Sequence, residues 1–576
     1  MKLHRLRVLC TCIALSLPIL PALCGASVRP PSDALPATAS RTVPPATPFD
    51  LQGFIDSKAA AGDTTIVIPP GRHLVTPRNR QHLLLRGLRN VVIDGTGAEL
   101  VCSETTRAIT IENCENLTLR GLVIDYDPLP FTQARITAIS EDKTRLELET
   151  IPGYADLKSA GTKLETFDPA TRELRGRITF YGISLAHHGD NRATLTRLPS
   201  PSASSTDRVG DIAVLYHEHA PGGSIPHAIM ATDSRGLVFE NVTLYSGPTF
   251  GFFENSCDGS RYLGCRVDRR PAHLDYTGRA VPRMRSMNAD AFHSKNARVG
   301  PRYERCTALY NGDDSIAING DFHFVTEAAG NTLRVLAKID MNMRVGDTAQ
   351  LFTYDGRRLP NRKITTLSRI GPATEAEREL VGSRGIEPRL RARALLEAWT
   401  ITFDAPVGDT PAGTLIASAD AIGDGFEIRD CTLGHNRSRG ILLKAGRGQI
   451  VGNTLSGSVM GSIMVAPEYF WLEAGFADDL VIADNTLRDL RGPGIVVTVS
   501  AASTSEVAPR GAFRNLVIRD NTVSGGPAPG MLVTSVEGLT NRNNRVSVDS
   551  SQRIHPWEIK SWGKDGLKPV MILNSR

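Results

Sequence analysis

From residue 87 onward the chain keeps returning to one pattern: a short run of alternating apolar and polar residues, a small polar residue, and a second short run. Residues 116–125 read NLTLRGLVID, 236–244 GLVFENVTL, 425–433 GFEIRDCTL, 479–487 DLVIADNTL and 515–523 NLVIRDNTV. Alternation with a period of two is the mark of a half-buried strand. Aligned on their apolar positions, the runs share one slot, filled by Thr96, Leu122, Val242, Cys265, Cys306, Cys431, Asn453, Asn485, Asn521 and Asn544. The slot recurs with a base period of 22 to 26 residues and occasional excess. Strands this short cannot each bury a face alone, but stacked on their neighbours they can. The pattern therefore predicts an all-β chain, a right-handed parallel β-helix over 49–125, 219–320 and 421–576. No helical pattern of ten or more residues lies between the strands, which excludes tandem βαβ units. Asparagines in the slot are expected to hydrogen-bond from turn to turn, and the cysteines to pack there as small apolar thiols rather than as a disulfide framework.

Two intervals are too long for one turn of the coil. Residues 126–218 and 321–420 each carry strand and turn patterns and a related phrase, RVGDIAVLYH from Arg208 and RVGDTAQLFT from Arg344. Two inserted small β-barrels are expected, the second interrupted by a short helix near 375–398.

At the start, Lys2, Arg5 and Arg7 precede an apolar run from Val8 to Leu23, followed by Gly25, Ala26 and Ser27. This reads as a secretory signal peptide over 1–26, cut after Ala26, so the protein is expected to be secreted or periplasmic. A lipid anchor at Cys24 is the rival reading, opposed by the lack of a small residue just before the cysteine. Residues 27–48, rich in Pro, Ala, Ser and Thr, read as a flexible lead-in. A formal charge of +5 on 576 residues, with no basic stripe interleaved with aromatics, argues against nucleic acid as a partner. No later apolar run is long enough to span a bilayer. Nothing in the sequence fixes the oligomeric state.

The chemistry lies in a second column. Nine residues past the slot a small residue opens an apolar strand, at Gly251, Ser315, Gly440, Ser462, Gly494 and Gly530, with Ala291 fitting by pattern. The residues just before them are Phe250, Asp290, Asp314, Arg439, Gly461, Pro493 and Pro529. Asp290, Asp314 and Arg439 should thus stack on successive rungs, with Asp313 beside Asp314. Carboxylates so close cannot all ionise freely, so one should hold a proton near neutral pH. An acid beside a base is what glycosidic bond cleavage requires. Asp290, Asp313 and Asp314 are the candidate catalytic residues. His293, Asn319, Arg439 and Lys444 should line the same outward face and bind substrate. Glu468, Trp471 and Glu473, in a loop that interrupts the repeat, are candidate substrate contacts and an aromatic platform. The run holding His217, His219 and His227 has metal-like spacing, but with no carboxylate partner in view it reads as a structural loop.

NADAFH, the Asp-Asp pair 23 residues on, RGILLKAGRGQIVGNTL from Arg439 and PEYFWLEAGFADDLVIADNTL from Pro467 resemble glycoside hydrolase family 110, the bacterial exo-acting α-1,3-galactosidases. The resemblance covers the mature chain. It implies a β-helix with two barrels, an inverting mechanism needing no metal or cofactor, terminal galactosides as substrate, and Asp290, Asp313 and Asp314 as the catalytic carboxylates. One departure is the strand SIAING after the pair, which is closer to polygalacturonases. Neither a GHG loop nor an RIK strand supports that alternative. A calcium-dependent polysaccharide lyase and a non-catalytic glycan-binding β-helix stay open. For inversion, Asp290 and Asp314 are expected to orient the water and Asp313 to protonate the leaving oxygen.

Overall fold

A computed structural model describes residues 45–176, 180–181, 183–189, 191–197, 206–216, 226–271, 282–499, 507–549, 551–552, 563 and 566–576. The signal peptide, most of the lead-in, His217 and His219 lie outside them. Three long parallel sheets run the length of the molecule, and the chain visits them in a fixed rotation. One such turn comprises Arg302–Glu304, Thr307–Leu309 and Ile316–Asp321, and the next begins at Glu427–Arg429. This is a three-sheet parallel β-helix. Its single core is built from the inward residues of every strand, among them stacked Phe252 and Phe292 (4.9 Å) and Tyr262 and Tyr303 (4.8 Å).

The small polar residue of the repeat has a stereochemical cause. The residue before the slot takes a left-handed backbone at Gly121, Asn241, Gly264, Arg305, Asp430, Gly452, Asp484, Asp520 and Asn543. Glycine, asparagine and aspartate tolerate that conformation best. The slot itself points inward. Asn453 donates through Nδ2 to Asn485 Oδ1 (2.9 Å), Asn485 to Asn521 (2.9 Å) and Asn521 to Asn544 (2.8 Å), making a continuous amide ladder. The six cysteines of the described chain are all buried free thiols.

A ten-residue helix, Leu51–Ala60, opens the described chain where strand was expected. It is capped by Asp50, which accepts from Gly53 N, and it buries Leu51 and Ile55. Those two side chains join the coil's core, which would otherwise end in open apolar surface.

The second insertion is a closed six-strand barrel running from His323–Ala329 to Leu415–Ser418. Two short helices, Glu375–Gly382 and Pro388–Arg393, interrupt it, the first opened by a Thr374–Glu377 capping box. The first insertion is an antiparallel seven-strand sheet whose edge strands, Phe180–Tyr181 and Ser184–Gly189, follow each other in the chain. The sheet's two ends are thus tied by chain continuity, and among the described residues no hydrogen-bonded ladder closes it.

Candidate active site

The outward column forms on the sheet that contains Phe252–Asn255, Phe292–Lys295, Ile316–Asp321 and Arg439–Leu443. Phe252 pairs with Phe292, Phe292 with Ile316, and Ile316 with Ile441, which puts Phe250, Asp290, Asp314 and Arg439 in one register. Each of Asp290, Asp313 and Asp314 offers a carboxylate oxygen, and these oxygens all lie within 4.8 Å of one another.

Their surroundings differ. Asp290 is 5% exposed and Asp314 4%, while the Asp313 side chain keeps 32% of its surface. Asp290 Oδ2 meets His293 Nδ1 at 2.7 Å, and its Oδ1 accepts from Asp314 N at 3.3 Å. Asp314 Oδ1 accepts from Arg439 N at 2.9 Å and lies 3.2 Å from Arg439 Nε. Asp313 Oδ2 is paired with Arg437, a residue that repetition gave no reason to single out.

Burial, with Asp313 and Glu473 nearby, pushes the Asp290 carboxyl well above the usual range. Burial also raises Asp314 to about 7, reinforced by the other two aspartates and opposed by Arg439. Burial alone would raise Asp313 too, but Arg437, Arg439 and Lys163 outweigh it and hold that carboxyl below its ordinary value. The trio therefore holds one charged member and two that retain a proton into the neutral range. In the expected division Asp313 was the acid; here its pairing with Arg437 favours the charged form. A divalent cation could use the same three oxygens, but it would compete there with Arg437 and Arg439.

A chain of alternating charge continues from Asp314. Arg439 Nη2 reaches Glu468 Oε1 (3.1 Å), and Lys444 Nζ, fully buried, bridges Glu468 (2.9 Å) and Glu473 (2.6 Å). Burial would raise Glu473, but Lys444, Lys338 and His293 hold it well below the carboxylate range. Lys338 comes from the second insertion. It donates to Leu472 O (3.0 Å) and pairs with Asp321 (2.8 Å), which also holds Lys295 (3.0 Å). The second insertion thus reaches the hairpin that carries Glu468 and Glu473.

His293, Asn319, Arg439, Lys444, Glu468 and Glu473 all join this network. His293 and Asn319 sit within it rather than at its surface. Asn319 is buried with its Nδ2 2.9 Å from His293 Nε2, and the His293 ring stacks on Phe250 at 4.9 Å. Burial pushes His293 down to about 4 and keeps it neutral. Trp471 is half-buried, its ring edge-on to Phe470 (5.2 Å) and packed against the core, and neighbouring Tyr469 is buried with its hydroxyl on Thr353 O. At the turn of the hairpin Glu387 N donates to Phe470 O. His227 is structural, stacked on Phe250 (4.7 Å) and Phe253 (4.4 Å).

The coil's chemistry now has relatives beside it. Alpha-1,3-galactosidase B of Bacteroides thetaiotaomicron is 23% identical over 587 aligned positions, covering 92% of this chain and 88% of its own. Alpha-1,3-galactosidase A of Bacteroides fragilis is 20% identical, covering 86% and 84%. The chain is a glycoside hydrolase, similar at low identity to these two galactosidases. No family model matches it. Among solved structures, a family 28 exopolygalacturonase of Yersinia enterocolitica aligns with 89% of this chain and 71% of its own at 10% identity and a TM-score of 0.35.

The repeat alone did not reveal that the insertions approach the aspartates. Lys163 and Glu165 come from the first insertion and Lys338 from the second, so both additions to the coil reach the site. Lys163, Glu165 and Lys338 left no signal in the repeat, because an insertion's position against the coil is not set by the period, and Arg437 stands on a turn outside the repeated strands.

Proposed function

We propose that the protein is an exported exo-glycosidase that removes terminal α-linked galactose from neutral glycans without a metal ion. Asp313, charged on Arg437, is the general base that takes a proton from water, and Asp314, protonated into the neutral range, gives one to the leaving oxygen. Asp290, buried beneath them on His293, holds the second proton and carries the Asp314 backbone. The observation that supports this reading is the convergence of three carboxylates with unequal surroundings, Asp313 paired with Arg437 and Asp290 and Asp314 buried, in a relative of α-1,3-galactosidases. General acid–base catalysis needs that inequality.

The charge pairing also bears on the sugar. Arg437, Arg439, Lys444, Lys338 and Lys295 are each already matched by a protein carboxylate, and Arg285 by Glu165. A uronic acid substrate would need such a cation for its own carboxylate. This favours a neutral hexose over a pectin-type chain. It equally disfavours a lyase, which needs an unpaired base to take a carbon-bound proton.

Inversion is what the family resemblance implies, and it normally sets the two carboxyl groups roughly 6.5–9.5 Å apart. Oxygens within 4.8 Å are closer to the spacing of retaining enzymes, about 5–5.5 Å. These two considerations point to opposite outcomes, and the anomer first released decides between them. Incubation with a panel of nitrophenyl glycosides and α-galactosyl oligosaccharides, followed by proton NMR of the first product, tests the whole reading. Release of β-galactose from an α-linked substrate supports it. Turnover of uronides alone, an unsaturated product or loss of activity with chelator would each contradict it.

A further inference from the structure

Two glutamates of the charged network sit on one hairpin. Glu468 keeps 23% of its side-chain surface and Glu473 20%, beside Arg439 and His293, so both stay within reach of a ligand. The hairpin turns through residues 469–472, and the last of these, Leu472, holds a left-handed backbone with a φ of 52°. A leucine in that conformation brings its Cβ too close to a carbonyl oxygen, so its surroundings must impose it. They do so at one atom. Leu472 O accepts from Phe322 N at 3.1 Å and from Lys338 Nζ at 3.0 Å. Beyond it the hairpin meets the coil strand in a two-residue antiparallel pairing, Gly320 with Ala474 and Asp321 with Glu473. Lys338 follows the barrel strand Thr332–Ala337, is 4% exposed and pairs with Asp321 at 2.8 Å. On the coil, Lys295 holds the same carboxylate at 3.0 Å without a hydrogen bond to the hairpin among the described residues.

We infer that Lys338 is a positioning residue, through which the second insertion fixes the turn before Glu473 and so aims the Glu473 carboxylate at the sugar. The inference rests on the glycosidase reading, and holds whichever aspartate is acid or base. A glutamate that binds a hydroxyl contributes most affinity when its direction is fixed before the sugar arrives, since ordering it on binding is a cost. Glu473 is the next residue after Leu472, so a turn that relaxes at Leu472 carries the carboxylate away from Lys444 Nζ, 2.6 Å from it, and from the site. The cations near Glu473 are Lys444, Lys338, Lys295 and, when protonated, His293, and the nearby Asp290 opposes them. Lys444 grips the side chain, whereas Lys338 grips the backbone just before it, so the two lysines act on different parts of the same segment.

The test is hydrogen exchange read by mass spectrometry, without substrate, on the full chain and on Lys338→Met, Lys295→Met and Asp321→Asn. Lys338→Met should speed exchange in a peptide spanning 468–475 by about 10-fold or more, and leave the asparagine-ladder strands Thr454–Ser456 and Thr486–Arg488 unchanged. Lys295→Met takes a cation from the same Asp321 but no bond from the hairpin, so exchange there should stay within about twofold of the wild type. Equal loosening of the hairpin by both lysine variants, or none in Lys338→Met, overturns the inference. Asp321→Asn weakens the second anchor of Lys338 and should give the same local pattern at smaller size, which decides the matter if Lys338→Met does not fold. A uniform rise along the coil in Asp321→Asn, or no rise, counts against the latch. On a glycoside that the wild type cleaves, Lys338→Met should raise KM about 10- to 100-fold with kcat within about threefold, and Lys338→Arg should recover most of the loss. A fall in kcat at unchanged KM refutes the aiming of Glu473 at the sugar. Failure of every glycoside tried would count against the proposed galactosidase reaction alone, because the exchange pattern needs no substrate.

Discussion

Two columns of side chains climb this coil in the same register and end in opposite states. Inside, Asn453, Asn485 and Asn521 each donate to the Oδ1 of the next asparagine up to Asn544, and Asn485 and Asn521 accept from the one before, so repetition satisfies them. Outside, Asp290 and Asp314 repeat a negative charge that stacking makes worse, and Arg439 on the next rung and Arg437 beside Asp313 relieve it. The comparison separates two uses of one scaffold. A neutral amide that is both donor and acceptor turns a rung spacing of about 4.8 Å into stability. An acceptor-only carboxylate turns the same spacing into a demand for protons or cations, which is the raw material of acid–base chemistry.

The comparison can be broken at several points. Lys444, fully buried between Glu468 and Glu473, is where the outer column is most exposed to damage. Lys444→Met removes the buried cation that two carboxylates share and should lower stability by about 3–5 kcal/mol, read as the urea midpoint. Asp314→Asn should act in the other direction. Its folded pKa is raised to about 7, so the native state binds more protons than the unfolded one between about pH 4 and 7, and wild-type stability falls as pH rises through that window. At pH 8 the variant should be more stable than the wild type by on the order of 2 kcal/mol, with the gap closing by about pH 4. A gap independent of pH would mean that Asp314 does not titrate there. Inside the coil, Asn485→Ala should cost about 1–3 kcal/mol by orphaning amides on both adjacent rungs, with no dependence on pH.

The sequence shows the inner and outer columns equally well, because both inherit the period. Asp290, Asp314 and Arg439 could be placed in register from spacing alone, as could the outward face holding His293, Asn319 and Lys444. What it hides depends on contacts between parts that the period does not relate. Arg437 stands two residues before Arg439 on a turn, and its importance appears only once Glu165 approaches from another layer. The helix Leu51–Ala60 contains Gly53 and buries only two side chains, so its amphipathic pattern is faint, although Asp50 is an ordinary capping signal. Spacing also brings the three aspartates together without distributing their protons, because that distribution depends on burial and on arginines from neighbouring turns.

The central claim is that Asp313 is the charged base and Asp314 the proton donor. It is tested most directly by measuring kcat/KM for Asp313→Asn and Asp314→Asn on an activated aryl α-galactoside and on an unactivated α-1,3-linked galactosyl oligosaccharide. A leaving group that departs without protonation does not need the acid. Asp314→Asn should therefore lose about 10²–10⁴-fold on the oligosaccharide and far less on the aryl substrate, whereas Asp313→Asn should lose comparably on both. Sparing of the aryl substrate by Asp313→Asn, with equal losses in Asp314→Asn, would exchange the two roles and contradict the electrostatic account.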